Sequence, residues 1–125
     1  MNANELRIGN FIFDGNKEVE IIGILRGGFY LKNSDLKLNL NIRDRFIPIP
    51  LTEKWLFKFG FVKRGIYYHF PKNDIFKLDQ YKNKNAYWLR YYTEDIDCTR
   101  INHVHQLQNL YFALTGEELT PTNHE

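Results

Sequence analysis

The tetrapeptide Ile47-Pro48-Ile49-Pro50 constrains the fold more than any other stretch of this chain. Proline has no N–H to give to a strand ladder, so two prolines at alternate positions cannot run through the middle of a sheet. The segment predicts a seam, with a small β subdomain over residues 1–51 and an α+β subdomain over 52–125. A length of 125 residues suits that division into two small parts forming one compact unit.

Before the seam, turn residues punctuate short strands. Asp14-Gly15-Asn16, Gly27-Gly28 and Asn33-Ser34-Asp35 separate strands expected at 8–13, 18–25, 29–32 and 36–42, because Gly, and to a lesser degree Asn and Asp, accept the positive φ of tight turns. In the last of these, Leu36, Leu38, Leu40 and Ile42 alternate with Lys37, Asn39 and Asn41, which places the apolar set on one face. This half reads as a strongly bent meander, an SH3-like β-barrel in outline. Beyond the seam, Thr52 caps a short helix over 53–59 that Gly60 ends. Three antiparallel strands are expected at 61–70, 74–80 and 86–93, then a helix over 103–115 capped by Asn102 and stopped by Gly116. Its expected apolar stripe is Val104, Leu107, Leu110, Tyr111 and Leu114. The fold class is α+β, a β-barrel-like part followed by an α-β-β-β-α part, with fraying expected over 120–125.

The longest apolar run, Ile21 to Leu25, is far too short to cross a bilayer as a helix. The opening Met-Asn-Ala-Asn-Glu has neither a charged stretch leading into an apolar one nor an acylation signal, so the expected location is the cytoplasm where it is made. A single cysteine, Cys98, excludes an internal disulfide and a cysteine-only metal site. Asp95 and Asp97 flank it and would raise the pKa of a thiol, which argues against a catalytic thiolate. Ser34 lies in a turn with no histidine beside it in sequence. His103 and His105 are two apart, and on a helix that spacing points side chains away from each other. The expectation is therefore no catalytic residue, no metal site and no cofactor.

Charge is unevenly distributed. Residues 1–53 balance, residues 54–90 hold nine basic against two acidic side chains, and residues 91–125 hold one basic against six acidic. The basic stretch also contains eleven aromatic residues. Lysine and aromatics of this kind are also what an A/T-rich genome supplies, and the acidic tail could neutralise the block. Read as function, such a stretch attracts phosphate or an acidic surface. Strand alternation places Tyr67, His69, Lys77, Trp88, Arg90 and Tyr92 on one face, with Lys63 and Arg64 beside them. Such a face suits stacking of unpaired bases on rings and capture of phosphates by cations. A second candidate surface is the outward side of the last helix, with His105, Gln108, Asn109 and Phe112.

Three blocks carry a resemblance: Asn4 to Asn10, Ile49 to Phe61 and Val104 to Leu119. They resemble small accessory proteins encoded by phages, prophages and mobile elements of low-GC bacteria. The resemblance implies a protein without an active site that binds a host protein or ribonucleoprotein, and inhibitors of RNA-guided (CRISPR) nucleases are one such class. The other expectation, from the residues themselves, is direct binding of single-stranded RNA or DNA.

Overall fold

A computed structural model describes residues 5–15, 17–25, 28–32, 47–80, 86–91 and 99–122. The chain is α+β, in the order β1 (Phe11–Phe13), β2 (Glu18–Leu25), β3 (Gly28–Leu31), β4 (Ile47–Pro48), α1 (Glu53–Phe59), β5 (Val62–Arg64), β6 (Tyr67–Phe70), β7 (Asn73–Asp79), β8 (Tyr87–Tyr91), β9 (Thr99–Ile101) and α2 (Val104–Thr115). It divides into two compact units, Met1–Pro50 with His103–Leu119, and Leu51–Asn102 with Thr120–Glu125. The start of the second unit coincides with the proline seam. The last helix groups with the first unit, where the sequence suggested the second.

The first unit is built on a four-stranded sheet in the order β3-β2-β1-β4, antiparallel throughout. Asp14 shapes the β1–β2 turn by accepting from the Lys17 N–H at 2.8 Å, and Gly15 supplies the positive φ of 99°. Leu6, Ile12, Val19, Ile21, Phe29 and Leu31 form the core beneath this sheet. Pro48 lies opposite Ile12 in β4, at the sheet edge, where its missing N–H breaks no ladder. Among the described residues no sheet closes into a barrel, so the structure does not confirm the expected SH3-like closure, and α2 packs with β1 in this unit. The expected strand at 36–42 lies outside the described residues.

Helix α2 starts one residue later than expected. His103, extended at φ −131° and ψ 154°, is its N-cap, and its N–H donates to Gln106 Oε1 at 3.0 Å. The buried side of α2 is Val104, His105, Leu107, Gln108 and Tyr111, whereas Leu114 is 39% exposed. Polar bonds rotate the helix away from the purely apolar stripe. Gln108 Nε2 donates to the carbonyls of Gly9 (2.8 Å) and Leu119 (3.2 Å), and its Oε1 accepts from the Phe11 N–H (3.0 Å). Asn109 donates to the Glu5 carbonyl at 2.6 Å and accepts from Asn10 Nδ2 at 2.9 Å. The segment from Glu5 to Asn10 thus runs along the helix, and it needs polar side chains there to pair its backbone.

The second unit begins with α1. Thr52 Oγ1 accepts from the Trp55 N–H, and Gly60 ends the helix in the left-handed region, its N–H directed to the carbonyls of Leu56 and Phe57. Trp55, Leu56 and Phe59 are its buried side, as expected. The sheet that follows is a meander, β5-β6-β7-β8-β9. The single strand expected over 61–70 is a hairpin, turned at Gly65 (φ 64°) and Ile66, so β5 and β6 pair with each other. Tyr68, Phe70, Phe76, Leu78, Tyr87, Leu89 and Ile101 are buried. On this side α1 contributes Glu53, which accepts from the Tyr68 hydroxyl at 2.5 Å, and the Phe57 ring, 6.3 Å from that of Tyr68. Thr122, expected to fray, gives both its N–H and its hydroxyl to the Lys58 carbonyl, at 2.7 and 3.0 Å.

Candidate binding face of the five-stranded sheet

Register decides which side chains meet on the other side of this sheet. Arg64 pairs with Tyr67, Tyr67 with Asp79, Asp79 with Trp88, and Trp88 with Arg100. Directly paired residues share a face, so these five form one row across all five strands. The neighbouring row runs Val62, His69, Lys77 and Arg90. Both rows occupy the face opposite the buried Tyr68, Phe70, Phe76, Leu78, Tyr87 and Leu89. The expected set of Arg64, Tyr67, His69, Lys77, Trp88 and Arg90 therefore lies in two adjacent rows. Tyr92 lies outside the described residues. Val62, Asp79 and Arg100 belong to the same rows and were not among the expected residues.

Lys63 falls on the opposite side. It pairs with Tyr68, its Nζ stands 3.5 Å from Glu53 Oε2, and it lies 5.6 Å from the centre of the Tyr68 ring. Together the Tyr68 hydroxyl and the Lys63 ammonium hold the Glu53 carboxyl below its usual pKa, the hydroxyl contributing most. Burial, and then the Glu53 carboxylate, push the Tyr68 phenol well above its usual value.

On the outer face, Arg64 and Arg100 are exposed, Tyr67, His69, Lys77 and Trp88 are half-buried, and Asp79 is 2% exposed. The Lys77 ammonium sits 4.4 Å above the Tyr67 ring, a cation–π contact that parks a mobile charge against an aromatic face. The Tyr67 and His69 rings meet edge to face at 6.1 Å. Burial, reinforced by the cations of Lys77 and Arg64, holds His69 below its usual pKa, so its ring is neutral at pH 7. The Trp88 indole N–H is shielded from solvent and has no hydrogen-bond partner among the described residues. Rings able to stack and cations able to meet phosphate alternate across this surface.

The second expected surface is corrected. His105 and Gln108 are each 1% exposed and belong to the interior of the first unit, Asn109 is half-buried and engaged with Glu5 and Asn10, and only Phe112 is open, at 39%. The Arg7 guanidinium lies 4.2 Å over the Phe112 ring while bonding Glu118 and Asn109. His105 Nε2 is 3.1 Å from Glu5 Oε1, and its buried Nδ1 has no partner among the described residues. The rings of His103 and His105, expected to diverge, stack at 5.9 Å. The extended backbone of His103 at the cap precedes the helical twist that would have separated them. Among the described residues no three His, Cys, Asp or Glu side chains converge as metal ligands. Ser34 and Cys98 lie outside those residues. No family model, curated protein or solved structure matches this chain.

Proposed function

We propose that this protein is a non-enzymatic binding module that holds single-stranded nucleic acid on the outer face of its five-stranded sheet. The observation that carries the reading is the row Arg64, Tyr67, Asp79, Trp88, Arg100, with His69 and Lys77 beside it. Tyr67 and Trp88 stand two strands apart, roughly 10 Å at ordinary strand spacing. Two unpaired bases can stack there while Arg64 and Arg100 meet phosphates at either edge. Each stacked base contributes about 1–3 kcal/mol. Asp79, buried in the middle of the row, leaves the exposed charge of the face positive. A host ribonucleoprotein, the partner implied by the resemblance of the three blocks to phage accessory proteins, offers the same chemistry wherever its RNA is uncovered. Occupying that RNA would inhibit an RNA-guided nuclease without any active site.

The test is salt-dependent binding of an end-labelled oligouridylate to the purified protein. The affinity is expected to fall linearly with salt on logarithmic axes. Arg64→Ala or Arg100→Ala is expected to reduce the slope by about 0.7 each. Trp88→Ala is expected to weaken binding about tenfold or more at unchanged slope. Absence of saturable binding at low salt rejects the reading, and nuclease-resistant capture of one host protein would redirect it to a protein partner.

A further inference from the structure

We infer that the outer face is a proton-coupled site in which His69 takes up a proton as the anionic backbone of a single strand binds. This rests on the nucleic-acid reading above and names how that site is regulated.

The geometry around His69 is explicit. On β7, Lys77 lies directly opposite it, and beyond Lys77 the register position on β8 is Arg90. On β5, the residue opposite is Val62, and Arg64, two positions along, is paired with Tyr67. On its own strand the neighbour on this face is Tyr67, whose other partner is Asp79. Lys63 is turned to the other side, against Glu53 and Tyr68. The only acid in the two rows, Asp79, is buried and lies diagonal to His69 across Tyr67.

In the free protein the imidazole therefore faces two cations with no directly opposed carboxylate. Protonation there places a third positive charge beside them, in a half-buried position, and is disfavoured. A phosphate caught between Arg64 and Lys77 lies beside His69. It cancels the field that kept the ring neutral and offers the ring N–H an acceptor. The proton comes from solvent, at most one per strand bound.

The sign follows. Binding raises the affinity of His69 for a proton, so by reciprocity protonation raises the affinity for the strand. The gain is complete below the pKa of the free protein, itself under the ordinary value of 6.5. It disappears as pH rises through the higher pKa of the complex.

The experiment measures binding of oligouridylate and oligothymidylate, carrying a pH-insensitive dye, from pH 7.5 to 5.5 at constant ionic strength. The affinity of the native protein is expected to rise about fivefold over that interval. His69→Gln is expected to show no rise over the same interval, whatever its affinity at pH 7.5. A second measurement does not depend on that variant folding: the ring resonances of His69 titrated by NMR with and without oligouridylate, where the midpoint is expected to move up on binding. Saturable binding with a flat pH profile, an unchanged or lowered His69 midpoint, or a rise retained in a folded His69→Gln overturns the inference and leaves the nucleic-acid reading standing. No saturable binding at any pH removes both.

Discussion

His105 is an ionisable ring held where water does not reach, and the sign of its effect on stability can be worked out. Burial holds its folded pKa below the unfolded value, with the Glu5 carboxylate opposing that trend and His103 adding to it. The neutral ring is the one that fits, so its contribution is whole above pH 6.5, the ordinary value, and is lost as pH falls through the folded pKa. Chemical denaturation is expected to give lower stability at pH 5 than at pH 7.5, with a His105→Gln variant less pH-dependent across that interval. Gln108 carries more. Its amide satisfies two carbonyls and one N–H, and each buried polar group left without a partner costs about 1–3 kcal/mol. Gln108→Ala is expected to be among the most damaging single changes on α2 in a thermal melt, worse than Leu114→Ala, whose side chain is 39% exposed. Neither burial was legible in the sequence. Helical periodicity ranks residues by apolarity, whereas these two side chains meet the Phe11 N–H and the Glu5 carboxylate, about a hundred positions away.

At the scale of elements, local chemistry was the readable part. Thr52, Gly60 and the Trp55, Leu56, Phe59 side of α1 appear where capping and spacing predict them. Gly60 has φ 100°, and a Cβ there would meet Thr122 Cγ2 at 3.3 Å. Gly60→Ala is expected to cost about 1 kcal/mol or more, readable as a lower denaturation midpoint at unchanged slope. Strand alternation likewise grouped Tyr67 with His69 and Trp88 with Arg90. What alternation lacks is register. Treating 61–70 as one strand gives Lys63 the parity of Tyr67 and His69, but the turn at Gly65 and Ile66 folds the chain back and pairs Lys63 with Tyr68. Asp79 has the parity of Lys77 and was open to the same alternation, whereas Arg100 lies on a strand of three residues, too short to show a period.

At the scale of the molecule, the last helix matters most. Residues 103–119 complete the first unit and Thr122 returns to the second, so both depend on the end of the described chain. Truncation after Asn102 is expected to abolish amide-exchange protection in β1 to β3, measured by hydrogen exchange, and to weaken the second unit less. The tail also bears on charge. Glu118 is engaged by Arg7 within the first unit.

The split composition of the first unit sets an order of events during synthesis. A nascent chain leaves the ribosome from its N-terminus, and leading regions usually fold first. Here β1 to β3 pair with their sequence neighbours but gain the bonds from Gln108 and Asn109 only once α2 is made, while β5 to β9 pair with their immediate sequence neighbours as they emerge. The first unit to be translated is the last to close, and until then the Leu6, Ile12, Val19, Ile21, Phe29 and Leu31 side chains lack their finished enclosure. That interval, governed by loop closure over nearly the whole chain, is where a chaperone would find this protein.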